Sequence, residues 1–210
     1  MQSIATITTA ASVTRLTTVA RVKQELDITS NDNDALLGSK IDEATSEIEA
    51  HLGRFFRRET LTETFWGDSE CAQYLILARA PVASITSVTI DDVAVDSTEW
   101  RLDAATGILH RLDSTGYPSF WSWCKSVVVV YVAGYLLPGE VGRTLPEAIE
   151  AGALSLMSAF WQSRGRDPLV KSEEIPGVER VDYWVGYIGE AGQLPPDVIT
   201  KIAPFRRVLV

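Results

Sequence analysis

The hydrophobic period of this 210-residue chain changes twice along its length. Leu37, Ile41, Ala44, Ile48 and Leu52 recur every three or four positions, the spacing of one helix face. From about Glu59 the period becomes two, with Leu61, Glu63 and Phe65 alternating with Thr60, Thr62 and Thr64. Helical spacing returns at Leu145, Ile149, Ala153, Leu156 and Phe160. One kind of element cannot satisfy both periods, so the expected fold is α+β. Its form is a small helical bundle, built from an N-terminal helical hairpin, a third helix and a C-terminal turn, into which an antiparallel β region is inserted.

End signals refine the boundaries. Val19, Val22 and Leu26 predict a short first helix with Thr17 or Thr18 as its cap. Asp32 and Asp34 place negative charge at the start of the second helix, and Gly53 is positioned to end it. Short strand-like runs follow at 74–77, 84–90, 94–95, 99–102, 107–112 and 126–135, separated by turn signals such as Asp91-Asp92 and Thr106-Gly107. Val127 to Val132 is apolar on both faces and is expected at the centre of a sheet. The third helix opens after Thr144, with Pro146 in its first turn, and ends near Gly165. Residues 165–194 read as a long loop with one short element around Val181 to Tyr187, and Pro195-Pro196-Asp197 opens a last helical turn or two. The organisation is therefore a loosely ordered arm at 1–16, a helical core at 17–56 and 144–203, a β region at 57–135 and an extended tail at 204–210.

Charge and composition exclude several classes. With 19 basic and 28 acidic residues the formal net charge is −9, which argues against a protein whose main work is gripping phosphates. The longest apolar run is strand-sized, so no membrane span is expected. The first eleven residues lack the basic start of a secretory signal. Cys71 and Cys124 form no Cys-x-x-Cys pair and have no histidine close in sequence, which fits a reduced, intracellular origin.

Sites of chemistry are sparse. Gly134 to Gly139 has the glycine spacing of a phosphate loop, but Glu140 and Val141 stand where lysine and Ser/Thr are required, so a turn between sheet and helix is the better reading. Asp32 and Asp34 lack the glycine and closing glutamate of a calcium loop. Asp91 and Asp92 suit a hairpin turn, and Asp96, Glu99 and Asp103 suit a solvated edge. His51 sits near a helix end, His110 in a strand, and neither accompanies a nucleophile elbow. Phe120-Trp-Ser-Trp123 gathers three aromatics in a loop, either an interface or a cover over the sheet core. No catalytic residue, cofactor or metal is expected.

The last ten residues, Lys201 to Val210, carry three positive charges and no acid. Pro204 interrupts a helix arriving from Asp197. The segment either meets a partner surface or folds its apolar residues back on the chain's own core.

Several stretches, taken in order, resemble the head-to-tail connector (adaptor) family of tailed bacteriophages and related gene-transfer particles. They are Val19 to Ile28 followed by Asn31 to Leu37 and Ile41 to Gly53, then Ala80-Pro-Val-Ala-Ser-Ile-Thr-Ser-Val88, Val129 to Tyr135, Leu145-Pro-Glu-Ala-Ile149 and Ile202-Ala-Pro-Phe-Arg206. The arm before Thr17 and the segment from Gly165 to Leu194 have no clear counterpart, and Phe205 stands where tyrosine is frequent. The resemblance implies a non-enzymatic virion protein, made in the bacterial cytoplasm and placed in the virion neck. It implies a homo-oligomeric ring, typically dodecameric, between the portal protein and the stopper or tail-completion proteins, with DNA passing through as cargo and no membrane partner. It also implies a portal-docking segment made of Lys201, Ile202, Phe205, Arg206, Arg207, Val208, Leu209 and Val210. Two other readings stand beside it: a different neck protein such as a tail terminator, and a hydrolase drawing on Asp167, Glu173, Glu174, Glu179, Asp182 and Glu190.

Overall fold

The computed structural model describes residues 2–66, 72–121, 126–164, 172–175, 179–182 and 194–206, with backbone alone for the strands within 172–182. It divides into two compact units. One holds residues 1–13 and 55–136, the other 14–54 and 137–210.

The first unit is a pair of antiparallel sheets. Strands β1 (Gln2–Thr9), β2 (Glu59–Trp66), β3 (Tyr74–Ile76), β4 (Val82–Ile90), β5 (Val93–Ala94), β6 (Trp100–Asp103), β7 (Ile108–Leu112), β8 (Pro118–Ser119) and β9 (Ser126–Ala133) follow in chain order. Five form a sheet in the order β1-β2-β9-β4-β5, and β3, β7 and β6 form a second to which β8 adds on β7. The apolar β9 lies at the centre of the first sheet, where both of its edges are paired. Leu61, Phe65, Val88, Val127, Val129 and Tyr131 from that sheet share one core with Leu75, Leu109 and Trp121. Asp91 and Asp92 form the two-residue turn between β4 and β5 with φ of 47° and 66°, a mirror-image turn that asparagine and aspartate tolerate better than most residues.

The arm expected at 1–16 is not loose over its described residues, 2–16. β1 pairs antiparallel with β2 from Gln2 opposite Trp66 to Thr9 opposite Thr60, and Leu16 is fully buried. The threonines that break a secretory pattern are β-branched, and with Ile4 and Ile7 they favour an extended edge strand once β2 supplies the ladder. Trp121 is also in the core, with its indole N–H donating to the Leu109 carbonyl at 3.3 Å, so the aromatic loop folds over the sheet at that residue while Phe120 is exposed. Trp123 lies outside the described residues.

The second unit holds the helices α1 (Val19–Glu25), α2 (Asp34–Leu52), α3 (Glu147–Gln162) and α4 (Pro196–Ile202). Thr18 caps α1, its hydroxyl accepting from the Arg21 N–H at 3.2 Å. Asn33 rather than an aspartate occupies the cap position of α2, Asp34 lies in its first turn, and Gly53 closes it in the left-handed conformation. α3 starts one residue after Pro146, so that proline precedes the helix. In the expected long loop a hairpin forms from β10 (Ser172–Ile175) and β11 (Glu179–Asp182). The remainder of the element expected at Val181 to Tyr187 lies outside the described residues.

Candidate functional site

The C-terminal segment is positioned by α3. Val198 and Ile202, one helical turn apart on α4, are both fully buried. Gly152 of α3 provides the space: a Cβ built there would lie 2.7 Å from Ile202 Cγ2 and 3.9 Å from Val198 Cγ1. Pro195 and Pro196 start α4 at positions where a missing N–H costs nothing. The Lys201 ammonium donates to Ser155 Oγ at 2.5 Å and lies 4.0 Å from Asp197, so α4 is tied to α3 on its exposed side too.

Beyond α4 the backbone does not become extended at Pro204. Ala203 to Phe205 make a 3-10 turn, a conformation that accepts proline in its first positions, and Arg206 is the first extended residue, with φ of −63° and ψ of 133°. Phe205 is half-buried, and its carbonyl accepts from an Arg54 guanidinium N–H at 3.4 Å. Arg54 directly follows the glycine that ends α2, so the end of one helix holds the turn after another.

The eight residues expected to dock are therefore not equivalent. Lys201 and Arg206 are exposed and Phe205 half-exposed. Ile202 is a core residue, because its position one turn after Val198 carries it onto Gly152, and it is unavailable to a partner while the helical unit is intact. Arg207, Val208, Leu209 and Val210 lie outside the described residues.

Other polar features turn inward. Glu140 accepts from the Leu137 N–H at 2.5 Å, closing its own turn as a structural rather than a phosphate-binding loop. Glu150 of α3 accepts from Thr17 Oγ1 at 3.0 Å and pairs with Arg143 at 2.9 Å. In the sheet unit Glu59 is buried and pairs with Arg79 and, at 3.2 Å, with Arg57. Neighbouring Glu63 is fully buried; its carboxyl accepts from Ser3 Oγ at 2.7 Å, the Ala78 N–H at 2.8 Å and the Tyr131 hydroxyl at 2.8 Å. Burial, and then Glu63, pushes the Tyr131 phenol far above its ordinary pKa, so it stays a donor. The sequence places Glu63 on the same strand face as Leu61 and Phe65, a signal of a buried carboxyl that the alternation alone could have raised.

Burial of Glu59 by itself would raise its pKa, but hydrogen bonds from Arg79, the Ala11 amide and Arg57 more than offset this and hold it below the ordinary value of 4.5. A carboxyl depressed in the folded state contributes stability that is present above its unfolded pKa and lost as the pH falls through its folded one. The urea midpoint of the sheet unit, followed by tryptophan fluorescence, is therefore expected to decline once the pH drops below 4.5. Glu59→Gln should flatten that decline; a slope unchanged by the substitution would assign it to other acids.

Among the described residues no cluster of three or more His, Cys, Asp or Glu is placed to hold a metal ion, and no helix is long and apolar enough to cross a membrane.

The ordered elements that carry this arrangement match a known family. The family model for head completion proteins fits residues 15–208, from just before α1 to the C-terminal segment. The chain belongs to the head completion protein family. This is a head-to-tail connector family of structural virion proteins rather than enzymes. The head completion chain is also similar in fold to solved neck components. One comes from the neck of an empty gene transfer agent particle, computed with C6 symmetry, at 19% identity and a TM-score of 0.60 over 99% of this chain and 97% of that one. Another comes from the neck of the native particle, computed with C12 symmetry, at 18% identity and a TM-score of 0.59 over the same shares of each chain. A third, from the native virion, matches at 18% identity with a TM-score of 0.57, over 99% of this chain and 97% of that one. At these identities the likeness speaks for the fold. No curated protein matches the chain.

Proposed function

We propose that this head completion protein is a structural connector of the virion neck, assembling as a twelve-membered ring between the portal and the stopper or tail-completion proteins, with DNA passing through its centre. The reading is carried by the family match over residues 15–208, and the fold shared with neck chains supports it. A chain of net charge −9 offers DNA few favourable phosphate contacts, which suits a channel that must not hold its cargo.

The portal-docking element is the end of the chain, narrowed to Lys201, Phe205 and Arg206 with Arg207, Val208, Leu209 and Val210. Ile202 anchors it from within. Removing all of 201–210 would delete a core residue, so the clean variant ends at Arg206. Its thermal unfolding is expected to match the full chain, while its affinity for the portal in a light-scattering or pull-down titration falls about thirtyfold, the equivalent of ~2 kcal/mol for losing an anchor cluster. Undiminished portal binding would remove the tail from the docking site.

A further inference from the structure

The five-stranded sheet ends in two open edges. β1 has β2 on one side and, among the described residues, no strand on the other. β4 is paired with β9 on one side, but opposite that side β5 covers only Thr89 and Ile90, with the Val95 N–H reaching Val88 O, and the Val82 N–H donates to Ala104 O at 2.8 Å, so the open stretch is 83–87. Ala83, Ser84, Thr86 and Ser87 are exposed there.

Soluble sheets usually protect such edges with lysines, prolines or inward charges, because unpaired N–H and C=O groups recruit further strands. Here β1 reads Gln-Ser-Ile-Ala-Thr-Ile-Thr-Thr and β4 reads Val-Ala-Ser-Ile-Thr-Ser-Val-Thr-Ile, with no charged residue in either, in a chain of 19 basic and 28 acidic residues. Ile4 is 60% and Ile7 48% exposed on β1, and Trp66, opposite Gln2 on β2, is 44% exposed. The register of β1 is regular from Gln2 to Ile7, its one irregularity lying between Ile7 and Thr9. β4 carries two, between Val82 and Ser84 and between Ile85 and Ser87, which twist that edge and restrain pairing with arbitrary strands.

We propose that β1 of one copy pairs with the open edge of β4 in the next copy, so that the five-stranded sheets join from subunit to subunit; this rests on the ring reading above. Strand direction fits. β1, β2, β9 and β4 are antiparallel in turn, so β1 and β4 run in opposite directions, and placing a second sheet in the same sense beside the first continues the antiparallel alternation. Charge fits as well. Copies that each carry −9 repel across acidic surface, and these two edges let them meet without opposing like charges. The contact is heterologous, using different surfaces on the two copies, the kind of contact that builds a ring when the rotation between copies closes.

Hydrogen exchange of the full chain, as free monomer and as the ring assembled alone or on its portal, tests this. Peptides covering 2–9 and 83–87 are both expected to lose at least tenfold in exchange rate on assembly. Ile4→Lys and Ser84→Lys, each on an exposed residue, should leave monomer unfolding unchanged and reduce assembly at least tenfold. Rings in which both segments exchange at the monomer rate, or variants that assemble like the original, would overturn the inference while leaving the ring intact. Protection of 2–9 without 83–87 would also overturn it and transfer the β1 edge to another neck protein. If the unaltered chain makes no ring even on its portal, the functional reading falls instead.

Discussion

Replacing Gly134 with alanine is expected to unfold the sheet unit. Gly134 follows β9 with φ of 100°, and a Cβ there would lie 2.2 Å from the Arg57 carbonyl oxygen, 2.7 Å from its carbon and 2.9 Å from the Phe56 oxygen. All three obstacles are backbone, and the surrounding bonds hold them in place. The Gly134 N–H donates to Pro81 O at 2.9 Å, the Tyr135 N–H donates to Phe56 O at 2.7 Å, and Arg58 Nε donates to the Gly134 carbonyl at 3.3 Å. Relief requires breaking that crossing of segments, at a cost of about 4 kcal/mol or more, a large part of the stability of an ordinary domain. Gly116→Ala is the matched control. It has φ of 85° but nothing within 4 Å of the built Cβ, so it isolates the backbone penalty of roughly 1 kcal/mol. Urea unfolding followed by circular dichroism should show a small midpoint shift for Gly116→Ala and loss of the cooperative sheet transition for Gly134→Ala. Equal shifts would show that the crowding at Gly134 relaxes freely.

Glu63→Ala is expected to have the next largest effect. The carboxyl satisfies three donors in a buried setting, and alanine would leave the Tyr131 hydroxyl and the Ala78 amide without their acceptor as well as opening a cavity. At about 1–3 kcal/mol for each buried donor left unsatisfied, a loss of about 3–5 kcal/mol follows. Tyr131→Phe removes one donor and leaves the carboxyl with two partners, so it should cost only ~1–2 kcal/mol. The double variant tests the coupling: its loss should be clearly smaller than the sum of the single losses, because both remove the same bond. Additive losses in chemical denaturation would mean that Glu63 and Tyr131 act separately.

Much of this architecture is legible in local pattern. The period of α2 gives its buried face, the doubly apolar β9 gives the centre of its sheet, and Asp91-Asp92 gives a hairpin turn, because each depends on neighbours a few residues away. What the sequence conceals depends on partners far along the chain. β1 is an unremarkable threonine-rich stretch until β2, more than fifty residues later, offers it a ladder. Glu63 looks like a polar residue on an apolar strand face until the neighbouring β9 brings the Tyr131 hydroxyl to it. In the C-terminal segment the basic residues advertise a contact, but nothing local separates Ile202, which seats the segment, from Phe205, which lies near the surface; that distinction is made by the space over Gly152. The family resemblance supplied the role expected of the segment, and the geometry divided its residues.

The helical unit is assembled from chain segments that precede and follow residues 55–136 of the sheet unit, and this sets a timetable for synthesis. α2 is complete at Leu52, but α3, which packs against it, begins only at Glu147. At about 5–20 residues per second a ribosome needs roughly 5–20 s to make the intervening stretch. Throughout that interval α2, with Leu37, Ile41 and Ile48 that end up buried, has been made and α3 has not. Strands β2 to β9 of the sheet unit are all made within that interval, whereas α2 meets α3 only after the last of them has been synthesised.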